Sequence, residues 1–216
     1  CSSDLAELLD DAAMPASDRQ RFSASIVAQI GRLQNLIERM LGLAALEHRR
    51  KLEETAPVEL GALCRALIDE LHAPLARKAL QIVWEGDTIV QVEGDAFLLR
   101  QAIQNLLDNA IKHSPYGGTI QIRFINEQKL ANSTPAAGFC IRDNGPGIAS
   151  NDLDRIFEVF TQGSDPAAGG SGLGLAISRQ IVHDHGGSIT ASNHADGGAL
   201  FTIMLPATPA FASEPP

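Results

Sequence analysis

Two asparagines and a lysine stand at helical spacing near the middle of the chain. Asn105, Asn109 and Lys112 are four and three residues apart, and these spacings place the three side chains on one face of a helix. A carboxamide oxygen is a hard, neutral ligand that can hold Mg²⁺ beside phosphate oxygens, and an ammonium group offers phosphate a positive charge. The pattern is compatible with a magnesium–phosphate site, although on the spacing alone a solvated helix flank is the more frequent explanation.

A second stretch, residues 141–148, combines a carboxylate with two glycines. Asp143 ends a predicted strand, and Gly145 and Gly147 permit a tight turn where the backbone comes close to a ligand. A carboxylate in this place can accept a hydrogen bond from an exocyclic amine such as that of adenine. A simple turn with an Asx cap explains the same residues equally well.

Alternating glycines precede a predicted helix in the third stretch. Gly170, Gly172 and Gly174 surround Leu173, where a helix that runs to residue 185 is expected to begin. Free N–H groups and a helix N-terminus together form an anion site. The stretch is no Walker A loop, since Gly-Lys-Ser/Thr is missing, and no Rossmann fingerprint, since no strand precedes it in a βαβ unit. A flexible linker is the alternative, and the helix start at Leu173 counts against it.

Composition limits the kinds of protein that the chain can be. It has 216 residues, 44% of them hydrophobic, with 17 basic and 26 acidic side chains and a net charge of −9. This is enough for a real core, which excludes wholesale disorder. The acidic balance argues against a nucleic-acid partner, and no apolar stretch approaches the roughly 20 residues of a membrane span. Three widely spaced cysteines exclude a disulfide scaffold and favour a reducing compartment.

Residues 1–54 predict a helical hairpin. Apolar residues step by four and three with a mean period of 3.5, which is the seam of a coiled coil or bundle; they are Ile26, Ile30, Leu33, Ile37, Met40 and Ala44. A lone hairpin cannot bury such a seam on every side, so a homodimer through the hairpin is expected. An intramolecular helix packed on the following domain is the alternative.

Residues 55–206 predict an α+β domain. One amphipathic helix is expected over 58–78 and a strong one over 96–113, with short strands between and after them. A late hairpin around residues 196–198 indicates a mainly antiparallel sheet. Residues 207–216 are expected to form a flexible tail.

The three stretches, in this order, resemble the N, G1 and G2 boxes of the sensor histidine kinases. Those kinases belong with the ATPases that include Hsp90, gyrase and MutL. Residues 156–160, Ile-Phe-Glu-Val-Phe, are similar to the family's F box, and residues 18–53 resemble the second helix of its dimerisation and phosphotransfer domain. The resemblance implies a Bergerat-type α/β sandwich, a mixed and mainly antiparallel sheet backed by helices, with ATP under a mobile lid.

The resemblance also implies roles for individual residues. Asn109 would be the principal Mg²⁺ ligand with Asn105 assisting, and Asn105 and Lys112 would be catalytic, with Lys112 on the phosphates. Asp143 would bind the adenine amino group. The pocket and lid would be completed by Gly145 and Gly147, by Gly170, Gly172, Leu173 and Gly174 closing on the triphosphate, and by Phe157 and Phe160 anchoring the lid of residues 161–172.

Two departures from the family pattern affect the expectation. The phospho-accepting histidine should lie in a His-Glu/Asp-x-x-x-Pro pattern, and the chain is expected to begin after it. The fragment should therefore bind ATP without a histidine to phosphorylate in cis. Many kinases also carry an arginine where Val159 stands, and residues 156–178 contain no Lys or Arg.

The function implied is transfer of the ATP γ-phosphoryl group to a histidine and then to an aspartate of a response regulator. Upstream segments would anchor the intact protein in the membrane, with this part in the cytoplasm. A nucleotide-sensing interaction module, or another Bergerat-type ATPase without histidine phosphotransfer, is the alternative.

Overall fold

The computed structural model describes residues 25–26, 55–130, 134–159, 161 and 172–208. The chain divides into two compact units, residues 1–41 and 42–216. In the first unit residues 25–26 are helical. The rest of the predicted hairpin, with its dimer seam, lies outside the described residues.

The described part of the second unit alternates helices and strands. In chain order they are β1 (Ala56–Glu59), α1 (Leu60–Glu70), α2 (His72–Arg77), β2 (Gln81–Glu85), β3 (Gln91–Gly94), α3 (Ala96–His113), β4 (Thr119–Lys129), β5 (Pro135–Arg142), α4 (Gly174–Asp184), β6 (Ser188–Asn193) and β7 (Ala199–Pro206). None of the helices in these ranges has both the length and the apolar character that crossing a membrane requires.

Five strands form one mixed sheet in the order β2-β4-β5-β7-β6. The β2–β4 pair is parallel and the other three pairs are antiparallel. One core contains the buried side chains of α1, α3 and α4 together with those of the sheet. Strands β1 and β3 form a separate antiparallel pair. The predicted α+β architecture, a mainly antiparallel sheet backed by helices, is confirmed.

Helix α3 has the bounds that the sequence predicts. Asp95 caps its start, because the Oδ1 atom accepts from the N–H groups of Phe97 at 2.8 Å and Leu98 at 3.1 Å. The predicted apolar stripe of Leu99, Ile103, Leu106 and Ala110 is buried throughout. Since this stripe faces the core, the polar flank that carries the two asparagines is left at the edge of the helix.

The predicted helix over residues 58–78 is wrong in its extent. Its first two residues belong to β1, and a break at Leu71 separates α1 from α2. Pro74 explains the break, because in a continuous helix its ring would clash with the carbonyl group of Glu70. With the new helix starting at His72, Pro74 falls in the first turn, where no N–H is needed.

The C-terminal part of the domain follows the sequence closely. Helix α4 ends before Gly186, whose φ of +69° suits glycine at this position. Strands β6 and β7 pair as the predicted hairpin, with Gly197 and Gly198 at positive φ in the turn. Ala207 still donates to the Pro135 carbonyl at 3.0 Å, so the hydrogen bonding continues past residue 206. Residues 209–216 lie outside the described part.

Candidate functional site

The polar flank of α3 carries two half-buried asparagines and one exposed lysine. Asn109 is half-buried, and no group in the described part of the chain hydrogen-bonds to its carboxamide. Lys112, one turn later, is exposed. A half-buried carboxamide without a protein partner keeps an acceptor oxygen available for a ligand.

Asn105 connects α3 to the start of α4. Its Nδ2 donates to the Gly174 carbonyl at 3.0 Å and lies 3.3 Å from the Ser178 hydroxyl oxygen. Both contacts use the amide nitrogen, so the lone pairs of Oδ1 remain for another partner. The side chain that the sequence places in the metal site therefore also fixes the helix that follows the third glycine stretch.

Ser178 is a site residue that the sequence analysis missed. It is fully buried, and its hydroxyl oxygen lies 3.0 Å from the Gly174 carbonyl oxygen and 3.3 Å from that of Ala102, so its single proton can be donated to either. The sequence feature that could have identified Ser178 is its position as a polar residue on an otherwise apolar helix face, between Ile177 and Ile181. With Asn105, Ser178 forms a small polar network that holds the N-terminal turn of α4 against α3.

Asp143 is 3% exposed and points one carboxylate oxygen into the protein. This atom, Oδ1, accepts from the N–H groups of Gly145 at 2.9 Å and Ala199 at 3.1 Å. The backbone N–H of Asp143 in turn donates to the Ala199 carbonyl at 3.0 Å. Since no described group bonds to Oδ2, the carboxylate is held rigidly by one oxygen while the other keeps its capacity to accept.

Both glycines of the second stretch are required by close approaches. A Cβ atom on Gly145 would lie 2.4 Å from the His113 carbonyl oxygen, so the loop packs directly on the end of α3. Gly147 has a φ of +79°, and a Cβ there would lie 2.7 Å from Oδ1 of Asn193. A side chain at either position would push the loop away from its supports.

Two further asparagines hold this loop, and the sequence analysis did not single them out. Asn193 at the end of β6 bonds to both backbone groups of Ile148, and the Oδ1 atom of Asn144 accepts from the Thr119 N–H at 3.0 Å. Asn193 and Ile148 are 45 residues apart, so the local sequence does not predict the contact.

The third stretch is described from Gly172 onward, and Gly170 lies outside the described residues. Gly172 has a φ of +68°, and Leu173 is buried. No side chain caps the start of α4. The first bond within the helix is that of the Ile177 N–H to the Leu173 carbonyl at 2.9 Å. The N–H groups of Gly174, Leu175 and Ala176 therefore have no acceptor within the helix, which is the condition for an anion site.

The F-box stretch lies on the core through one of its two phenylalanines. Phe157 is buried and contacts Phe201 of β7 edge to face, with 6.4 Å between ring centroids. Ile156 is also buried, whereas Val159 is exposed. Phe160, the second predicted anchor, lies outside the described residues.

A family model of the histidine kinase-, DNA gyrase B- and HSP90-like ATPases matches residues 94–209. These residues include all three glycine and asparagine stretches, and they make up more than half of the chain. The chain belongs to this ATPase family.

Two proteins to which the chain is similar are named as sensor histidine kinases. The sensor-like histidine kinase SenX3 of Mycolicibacterium smegmatis is 31% identical over 95% of this chain and 53% of its own length. The chain thus spans about half the length of this curated relative. The mycobacterial sensor histidine kinase MprB matches 72% of this chain and 99% of its own with 31% identity and a TM-score of 0.59.

A third similarity concerns the fold alone. The structure of full-length ShkA in complex with AMPPNP covers 93% of this chain and 41% of its own, with a TM-score of 0.74 and 24% identity. The sheet and helices that position the candidate site are thus those of histidine kinase structures.

Proposed function

We propose that this chain is the ATP-binding catalytic part of a two-component sensor histidine kinase. It transfers the ATP γ-phosphoryl group to a histidine of a helical phosphotransfer domain, and the group then passes to an aspartate of a response regulator. The family match and the sensor-kinase relatives support this assignment. The observation that carries it is a pair of acceptors that no other described residue hydrogen-bonds, the Asn109 carboxamide on α3 and Oδ2 of Asp143, within one ATPase fold.

Asp143 recognises adenine in this proposal. The two backbone N–H bonds on Oδ1 orient the carboxylate, and Oδ2 accepts from the exocyclic amino group. A preoriented acceptor loses little entropy on binding and discriminates against a base that presents a carbonyl oxygen at that place. Gly145 and Gly147 shape the pocket because their close approaches leave no space for side chains.

The flank of α3 takes the phosphates. Asn109 is the principal Mg²⁺ ligand, Asn105 assists through Oδ1, and Lys112 meets the phosphate oxygens. The donors fit the ion, because Mg²⁺ prefers hard oxygen ligands and accepts carboxamide oxygens beside phosphate. Held by these residues, the ion would supply positive charge that offsets the charge of the phosphates.

The third stretch closes over the triphosphate. Gly170, Gly172 and Gly174 offer backbone N–H groups, Leu173 is part of the same ATP-binding stretch, and the uncapped start of α4 adds its positive dipole end. Phe157 and Phe160 anchor the lid of residues 161–172 at its first end. The buried contact of Phe157 with Phe201 supports the anchoring role.

Catalysis then rests on position and charge. An imidazole nitrogen attacks the γ-phosphorus in line, the bond to the bridging oxygen breaks, and ADP leaves with that electron pair. Asn105 and Lys112 hold the phosphates during this displacement. Phosphoryl transfer requires little covalent work from the protein, so orientation and charge supply most of the rate enhancement.

The rest of the proposal concerns the whole protein. Residues 1–54 form a partial dimerisation and phosphotransfer domain that pairs with a second copy through its helical hairpin. Residues 55–206 are the catalytic domain and the end of the chain is a tail. The chain lies in the cytoplasm, joined through upstream segments to a membrane sensor, and its protein partner is a response-regulator receiver domain.

Radiolabel transfer tests the proposal. A chain extended upstream through a His-Glu/Asp-x-x-x-Pro helix is incubated with γ-labelled ATP, and the same extension with that histidine changed to Gln is the control. We expect label on the protein that is lost in acid, retained in base and absent from the control. Nucleotide binding without any transfer would instead identify a nucleotide-sensing module, and hydrolysis alone would identify another ATPase of the family.

A further inference from the structure

Lys78 follows α2 directly, and its ammonium group reaches the carboxyl end of α3. The Nζ atom donates to the carbonyl oxygens of Ile111 at 2.9 Å, Lys112 at 2.7 Å and Ser114 at 3.0 Å. An ammonium group has three donors and no acceptor. These bonds therefore use its whole hydrogen-bonding capacity and hold the side chain in one orientation.

The backbone around Lys78 fixes the same junction. The Lys78 carbonyl accepts from the Gly117 N–H at 2.8 Å. Ala79, the next residue, has a φ of +52° and turns the chain into β2. A left-handed conformation is strained for alanine, and this one lies at the residue directly after Lys78.

The end of α3 that Lys78 meets carries a partial negative charge. The aligned peptide dipoles of a helix leave about half an elementary negative charge on its last carbonyl groups. A cation at this position offsets that charge, and three charge-assisted hydrogen bonds are stronger than neutral ones. In α3 the ammonium group lies directly on these carbonyl oxygens.

This negative end borders the candidate nucleotide site on two sides. Lys112 belongs to the last turn of α3, and Asn109 lies one turn earlier. The His113 carbonyl, next in the chain, lies against Gly145 of the loop that follows Asp143. A triphosphate held by Asn109 and Lys112 therefore approaches the end of the helix that repels anions.

We propose that Lys78 is a positioning residue of the nucleotide site, which neutralises the carboxyl end of α3 so that the phosphates can bind beside it. This inference rests on the proposed function and adds to it a residue outside the family's four boxes. Lys78 acts through the carbonyl groups of α3 and does not touch the nucleotide.

A purely structural role makes a different prediction from an electrostatic one. If Lys78 only keeps α3 folded, its loss weakens binding of adenosine and ATP by the same factor. If it offsets the charge of the helix end, the loss grows with the number of phosphates and shrinks as salt screens the interaction. The series adenosine, ADP and ATP, measured without magnesium, separates the two.

The experiment compares Lys78→Met with Arg77→Met in the full chain. Arg77 is the exposed neighbour of Lys78 and forms no hydrogen bond or ion pair within the described residues, so its removal changes the net charge equally without breaking a polar contact to α3. For Lys78→Met we expect ATP affinity to fall about fivefold to tenfold, ADP affinity to fall less, and adenosine affinity to stay within about twofold, as suits a helix-end charge. Arg77→Met should leave all three affinities within about twofold, and Lys78→Arg should recover most of the loss for ATP.

Equal factors for adenosine and ATP in Lys78→Met would overturn the inference while leaving ATP binding, and hence the proposed function, intact. Failure of the unchanged chain to bind ATP at all would instead remove the proposed function. Should Lys78→Met not fold, Lys78→Gln keeps two N–H donors without the charge and takes its place. In the unchanged chain, the ¹⁵N resonance of Lys78 Nζ should shift more with ATP than with adenosine, and equal shifts also contradict the inference.

Discussion

Asn193 pairs with the backbone of Ile148 as a neighbouring β-strand would. The Ile148 N–H donates to Oδ1 of Asn193 at 2.7 Å, and Nδ2 of Asn193 donates to the Ile148 carbonyl at 2.7 Å. One side chain thus satisfies both backbone groups of a residue in an irregular loop. The loop that begins at Asp143 is therefore attached to the sheet at its far end as well.

Removing this attachment should weaken the binding of adenosine and of ATP by the same factor, because the loop contacts the adenine base. Asn193→Ala loses two hydrogen bonds of about 0.5–1.5 kcal/mol each, so we expect adenosine and ATP affinities to fall together by about fivefold. Fluorescence competition with a labelled nucleotide measures both. Ser192→Ala, a change at an exposed neighbour, is the control. A loss seen with ATP alone would show that Asn193 does not act through the adenine loop.

Asp143→Asn should reduce the preference for adenine. The amide keeps an acceptor for the N–H groups of Gly145 and Ala199, yet it presents donors at the place where Oδ2 would accept from the adenine amino group. We expect ATP affinity to fall at least tenfold, about 1.4 kcal/mol, and the ratio of ATP to GTP affinity to fall with it. Asp69→Asn on the exposed surface of α1 is the matched control. If the ratio of ATP to GTP affinity is unchanged in the variant, Asp143 does not recognise the adenine base.

The network between α3 and α4 should appear as an energetic coupling. Asn105→Ala and Ser178→Ala each remove part of the contact at Gly174, and residues in one hydrogen-bond network typically couple by about 0.5–3 kcal/mol. Urea unfolding of the two single variants and the double variant gives the coupling energy. The pair Asn105→Ala with Arg179→Ala, at an exposed residue of the same helix, should be additive. Additivity of the first pair would mean that the helices are held by other contacts.

Cys64 should make the fold sensitive to alkaline pH. Burial raises the pKa of its thiol from 9.0 to about 12, and nearby Arg65 lowers it by less. The folded chain keeps the proton while the unfolded chain loses it above about pH 9, so stability is full below that pH and falls as pH rises. The free energy of unfolding should decrease by at most about 1.4 kcal/mol per pH unit between pH 9 and 12 from this group.

The matched control for this effect is Cys64→Ala, which retains every other titrating group. Urea midpoints measured from pH 8 upward should fall more steeply for the unchanged chain than for the variant. Parallel curves would mean that the thiol titrates alike in both states.

Local signals in the sequence account for much of what the structure contains. The bounds of α3 follow from a capping aspartate and a four-three apolar stripe, and the β6–β7 hairpin follows from its glycine turn. The start of α1 could not be predicted from local signals. The strand before it, β1, forms by pairing with β3, which lies more than 30 residues away in the chain.

The residues that support the site could not be predicted from the sequence, because their hydrogen-bond partners are also distant in the chain. Lys78 bonds to carbonyl groups 33 to 36 residues later, and Asn193 to a residue 45 positions earlier. Motif spacing identifies residues that face a ligand from one element. It carries no information on which distant side chains hold those elements in place.

Titration of the chain with ATP in a calorimeter, with and without Mg²⁺, tests the central claim most directly. The account predicts that ATP binds, that Mg²⁺ strengthens binding, and that Asn109→Ala removes the strengthening while the variant unfolds at a similar temperature. It is contradicted if ATP does not bind, or if Mg²⁺ strengthens binding equally in the unchanged chain and in Asn109→Ala.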